Sequence, residues 1–246
     1  MKHIINALAL TVLTLCASCD GKDLPDFMKS EGSRVTDTLI LKPYKELVVS
    51  NNFNVELVKD TRDYVVVEYG ENLIDNVGVH YDEASMCLRV TDDTKFGIVR
   101  NNQSFPKIKC HFSLLRNFLA HACVIVTSND SVDVSRYTFD GFVGGLDVIS
   151  NAPELALEVS DGSGSYNISG VADVIRIDAQ YTSIVDARGL KARVAHVESN
   201  STGDVYVNAA DTVYASIHHT GDICYKAGAV PVLTEKKGKG GMYVVD

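Results

Sequence analysis

The sequence predicts an all-β fold, and within that class a right-handed β-solenoid with coils of about 19 residues. Three observations predict it: short β-branched runs follow one another from residue 47 onward, helical spacing is scarce, and the second half of the chain repeats. The runs Leu47-Val48-Val49, Asn54-Val55-Glu56-Leu57-Val58, Tyr64-Val65-Val66-Val67-Glu68, Val77-Gly78-Val79-His80 and Leu88-Arg89-Val90 are bounded by Asn, Asp and Gly, as strands are. One stretch, residues 113–122 (SLLRNFLAHA), carries helical spacing, but it is short and uncapped.

Six segments of the second half align without gaps, starting at His121, Gly144, Ser163, Thr182, Thr202 and Thr220. Their second column is always small (Ala122, Gly145, Gly164, Ser183, Gly203, Gly221), which suits a corner approached closely by another backbone. Their sixth column is apolar (Val126, Ile149, Ile168, Ala187, Val207, Tyr225), and so is most of the fourth, with Asp147 as the exception. Columns two apart share a face of a strand, so both point into a core. A period near 19 is too short for a helix pair and suits one solenoid coil. Six coils at about 4.8 Å would make a column about 29 Å tall. The competing architecture is a β-sandwich with glycine-rich turns.

The N-terminus predicts export. Residues 1–18 (MKHIINALALTVLTLCAS) have a basic start at Lys2 and His3, an apolar run too short to span a bilayer, and small residues Ala17 and Ser18 before Cys19. Leu15-Cys16-Ala17-Ser18-Cys19 resembles a lipobox, so Cys19 is the expected lipidation site, and the bulky Leu15 makes Cys16 a poorer one. The alternative is a secretory signal beside a chance cysteine. Residues 19–37, mixing Gly, Pro, Ser and charge, are expected to be a flexible tether, with the solenoid domain over 38–246. Cleavage after residue 18 removes Lys2 and takes the formal charge from -9 to -10. That balance disfavours nucleic acid, which is bound through clustered Lys and Arg. The one basic cluster, Lys236, Lys237 and Lys239, reads as a solvated tail. Cys87, Cys110, Cys123 and Cys224 fit no zinc or disulfide spacing and sit in apolar runs, where buried thiols are expected; one or two bridges are the alternative in an oxidising compartment.

Residues 44–57 (YKELVVSNNFNVEL), Val65-Val66-Val67-Glu68 followed by 71–77 (ENLIDNV), and the Thr-Gly-Asp turns at 202–204 and 220–222 resemble, in that order, the putative auto-transporter adhesin, head GIN domain family of bacterial lipoproteins. The likeness covers residues 44–228. The Gly-Ile-Asn that names the family is Asn52-Phe53-Asn54 here, and Asn tolerates the positive φ that Gly would supply. The resemblance implies a β-solenoid body and a role in adhesion.

Chemistry-bearing patterns are sparse. No Gly-x-Ser-x-Gly elbow is present, and the nearest approach, Asp161-Gly162-Ser163-Gly164-Ser165, lies in the repeat register as a corner. Asp204 and Asp222 share a repeat column about one strand spacing apart, where a Ca²⁺ ion could relieve their repulsion. The adjacent His218 and His219 point to opposite faces if extended, so only one could join Asp222 or His196 around an ion. The fifth column (Ile125, Val148, Asn167, Asp186, Tyr206, Cys224) should point outward. Tyr166, Tyr181, Tyr206, Tyr214 and Tyr225 supply aromatic surface nearby, and Tyr166, Tyr181, Tyr206 and Tyr214 are the candidate binding residues. The expectation is a non-catalytic, lipid-anchored cell-envelope module, an adhesin for a glycan or protein partner, held on the outer membrane through Cys19. Two rivals stand beside it: a polysaccharide lyase or hydrolase using solenoid-face carboxylates, and a structural spacer stacking end to end.

Overall fold

The computed structural model describes residues 31–94 and 105–245. It is 68% strand and 1% helix and forms a β-solenoid of about six turns. The strands in chain order are β1 (Arg34–Ile40), β2 (Glu46–Val49), β3 (Phe53–Lys59), β4 (Tyr64–Gly70), β5 (Val77–Asp82), β6 (Cys87–Asp92), β7 (Lys107–Phe112), β8 (Asn117–Ala120), β9 (Val124–Val132) and β10 (Arg136–Phe139). They continue with β11 (Val143–Ser150), β12 (Glu154–Val159), β13 (Ser163–Tyr181), β14 (Ile184–Ser201), β15 (Val205–Ile217), β16 (Ile223–Lys226), β17 (Val230–Lys236) and β18 (Met242–Val245). The five strands read in the first half are all present. The stretch with helical spacing instead yields β8, because Phe118 and Ala120 alternate into the core while Asn117 and Leu119 stay half-buried.

The column has two faces. Face one is the parallel ladder β6, β2, β8, β10, β12, then the second halves of β13, β14 and β15, then β17. Face two is the ladder β7, β3, β9, β11, then the first halves of β13, β14 and β15, then β16 and β18. Each coil runs along one face, turns a corner and returns along the other. The chain does not climb in order at its start: β6 and β7 lie outside β2 and β3, and β8 and β9 return to pair on the other side.

That detour closes one end. β4 pairs antiparallel with β7, β1 with β4, and β5 with β6. Beneath this lid Leu73, Leu88, Val90, Ile108, Cys110 and Phe112 are buried to 1% exposure or less. The first strand among the described residues is β1, and residues 34–37, expected in the tether, form half of it in the lid. Residues 1–18, Cys19 and the tether up to residue 30 lie outside the described residues.

The core is one apolar column, with Phe118, Tyr137, Phe139 and Tyr166 in ring contact at its centre. Cys87, Cys110 and Cys224 are buried free thiols and Cys123 is partly buried, so the four described cysteines form no bridge. The hydroxyls of Tyr137 and Tyr166 are buried without a described hydrogen-bond partner. An unsatisfied buried hydroxyl costs about 1–3 kcal/mol. Tyr137→Phe is therefore expected to melt at or above the wild-type temperature. Burial pushes the Tyr166 phenol up to about 12 and raises those of Tyr44 and Tyr137 as well. Unfolded tyrosines ionise near pH 10, so above that pH the unfolded chain releases protons that the folded chain retains. Stability should fall as pH rises past about 10, read from urea midpoints between pH 8 and 11.

Candidate functional site

The outward side chains of face one line an open groove. Ladder register places Arg136, Ala156, Arg176, His196 and Tyr214 in one outward column. Two residues further along each strand, Thr138, Glu158, Asp178, Glu198 and Ser216 form a second. Between them runs an open groove of about 350 Å³, extended at one end by Thr234. The small Ala156 between the two arginines deepens the cleft.

The groove carries charges of both signs, set among apolar side chains such as Leu157, Ile177 and Val197. Arg136 donates to Glu158, and His218 lies 3.6 Å from Glu198 and 3.7 Å from Glu235. The guanidinium of Arg176 has no carboxylate partner among the described residues. His196 and Tyr214 stack with centroids 4.8 Å apart and planes 9° off parallel. Burial, with Arg176 adding to it, lowers the His196 pKa, so the imidazole is neutral at pH 7. Burial, reinforced by the neighbouring Glu198 and Glu158, raises that of Asp178 above the ordinary carboxylate value.

Of the four tyrosines read as binding residues, only Tyr214 reaches this groove. Tyr166 is a correction: it is 0% exposed and packs edge-on against Phe139 at 4.9 Å. The reason is register, since it pairs with Leu146 on one side and Val185 on the other, in the inward column. Tyr181 sits at a corner with φ 59° and is exposed. Tyr206 points outward on face two, where Arg188 covers its ring at 4.7 Å and its hydroxyl donates to Asp204. The expected outward column also needs correction. Asp147, Asn167, Asp186, Tyr206 and Cys224 occupy it, with Thr127 in the first coil, whereas Val148 is buried and Ile149 partly exposed.

Asp204 and Asp222 do share a column, and the structure gives each a structural task. Asp204 Oδ1 accepts the backbone N–H of Asp222 at 2.8 Å, and Asp222 Oδ1 accepts that of Gly241 at 2.8 Å. Each carboxylate thus ties its corner to the next coil, satisfying a donor that the turn leaves unpaired. Among the described residues no cluster of three or more His, Cys, Asp or Glu side chains is arranged to hold a metal. His219 contacts Thr220, apart from the carboxylates flanking His218. Hydrogen bonds to charged groups contribute about 1.5–3 kcal/mol. Asp222→Ala should therefore lose about that much stability, while EDTA should leave the wild-type melting temperature unchanged.

The groove residues Arg136, Glu158, Arg176, Asp178 and Glu198 were missed by the sequence reading. The signal existed: face-one strands such as RYTF, ELALEV and TVYASI recur between the aligned segments, and a second alignment would have stacked them.

Fold and surface together define a β-solenoid lidded at one end and bearing a lateral, mixed-charge groove. The chain belongs to the family described as "Putative auto-transporter adhesin, head GIN domain", whose profile matches residues 43–229. Among solved structures, a putative adhesin from Bacteroides fragilis superposes with TM-score 0.74 at 17% identity, over 87% of this chain and 97% of that one. A putative adhesin from Parabacteroides distasonis gives 0.55 at 19%, over 87% and 98%. A putative lipid binding protein from the same organism gives 0.51 at 18%, over 87% and 98%. These likenesses establish the fold. No curated protein sequence matches the chain. Among the described residues no helix is long and apolar enough to cross a membrane.

Proposed function

We propose that this protein is a non-catalytic, lipid-anchored adhesin module of the cell envelope that recognises a glycan in the face-one groove. The observation that carries the reading is the groove itself: the unpaired Arg176 guanidinium beside Asp178, with carboxylates, a neutral imidazole, a phenol and hydroxyls repeating at coil spacing. A saccharide presents hydroxyls that both donate and accept, so it can answer donors and acceptors of alternating type. Membership in an adhesin family and the Cys19 lipobox support presentation at the envelope.

A glycan array probed with the lipid-free protein should give a defined set of binders. Arg176→Ala and Tyr214→Ala should each weaken them about tenfold or more without changing the melting temperature. An array that stays blank, or binders indifferent to both substitutions, would remove the support.

One observation favours a second, catalytic reading. Asp178, which burial and then the neighbouring Glu198 and Glu158 push toward its protonated form, is placed as the general acid of glycoside hydrolysis would be. Turnover of acidic polysaccharides that disappears in Asp178→Asn would establish that reading in place of simple binding.

A further inference from the structure

The two ends of the column differ, and the difference points to a second binding site. At the lidded end every inward side chain of β6 and β7 is covered. At the other end β17 pairs only with β15 and β18 only with β16, so each leaves one backbone edge free among the described residues. Register shows which side chains of this last coil point inward. Leu233 pairs with the fully buried Ala215, and Val244 with the nearly buried Tyr225, so both face the core. Yet Leu233 is 49% and Val244 56% exposed. The last coil covers the core beneath it but leaves these two inward side chains of its own half exposed, flanked by the free edges of two strands. An edge of this kind is a template on which a further strand can pair.

The chemistry of the tip selects the occupant. A lipid surface could cover Leu233 and Val244 but would leave the strand edges' N–H and C=O groups unpaired in hydrocarbon, at several kcal/mol each. A second copy docking tip to tail would set β1 against this coil, and Thr36, Asp37 and Thr38 on β1 are exposed and polar. A second copy docking tip to tip would bring together two sets of Lys236, Lys237 and Lys239. Only Lys237 of these has a described carboxylate partner, Glu235. An extended polypeptide satisfies all three demands, continuing the ladder with its backbone, covering Leu233 and Val244 with alternate apolar side chains, and meeting Lys236 and Lys239 with acidic ones.

We propose that this tip binds an extended, acidic polypeptide segment by strand addition along β17. This is independent of the groove on face one. The test pans the intact protein, held in detergent, against a library of random linear peptides. Enriched peptides should alternate apolar residues with Asp or Glu. Their affinity should fall about tenfold or more in Leu233→Lys, and likewise in the double variant Lys236→Glu/Lys239→Glu, which alters only exposed side chains. Three results would overturn the proposal. One is enrichment of no peptide, or of peptides that bind both variants as well as wild type. Another is uptake onto phosphatidylserine-containing vesicles that Leu233→Lys abolishes, which would assign the tip to lipid. The third is a dimer in sedimentation equilibrium that Leu233→Lys dissolves, which would assign it to a second copy.

Discussion

Gly221→Ala is expected to lower the melting temperature by about 6–12 °C, the equivalent of about 3 kcal/mol in a domain of this size. Gly221 lies at a corner where successive coils touch backbone to backbone. A Cβ built on it would sit 2.1 Å from the Gly203 carbonyl oxygen and 2.8 Å from that of Ser201. The clash recurs up the column: a Cβ on Gly203 meets Ser183 O at 2.4 Å, and one on Gly240 meets Gly221 O at 2.1 Å. None of these obstacles is a flexible side chain that could swing away. Relief requires moving one coil against another, and the ladders on both faces resist that. Gly145→Ala is the control, because its Cβ would meet nothing closer than 3.7 Å. There the reduced freedom of the unfolded chain should leave stability unchanged or slightly improved. Differential scanning fluorimetry on the three proteins decides the matter, and equal melting of Gly221→Ala and wild type would contradict the stacked-corner geometry.

Cys19→Ala is expected to move essentially all of the protein from the membrane fraction to the soluble one. Two or three acyl chains on one cysteine hold a protein stably on a bilayer, since each buried methylene adds about 0.8 kcal/mol and a single chain is marginal. With Cys19 intact the protein should resist high-salt and alkaline washes. Cys16→Ala should remain anchored, because Leu15 precedes Cys16 where a lipobox wants a small residue. Release of Cys16→Ala together with retention of Cys19→Ala would reassign the anchor.

The fold was legible in the sequence because a solenoid writes its coil length into the chain. The small corner residues Ser183, Gly203 and Gly221 were read correctly as points of close approach. Two segments were aligned out of register, and Asp147 had flagged the error. As a fourth-column residue it would be a charge in the core. In the structure it pairs with Asn167 and points outward, with a register irregularity between Asp147 and Ile149. The structure pairs Gly144 with Gly164, whereas the alignment set Gly145 there, one residue off, so Val148 was placed outside and Ile149 inside. Tyr166 shows the opposite failure: its column was already apolar, and its phenol was weighed above its position. The groove was hidden for a different reason. Its residues lie on face one, while the alignment covered only face two, and charged outward positions such as Arg176 and Glu198 carry no periodic apolar signal. The tip was not read from the sequence: the last aligned segment starts at Thr220 and stops short of Leu233 and Val244, which the final coil leaves half exposed.

The central claim is that recognition takes place on face one. The most direct test is hydrogen–deuterium exchange of the protein with and without a glycan that binds it. Added protection is predicted in β12 and in the second halves of β13, β14 and β15, around Arg176, His196 and Tyr214, with the face-two halves of the same strands unchanged. Protection confined to face two, around Asp186 and Tyr206, would contradict the account.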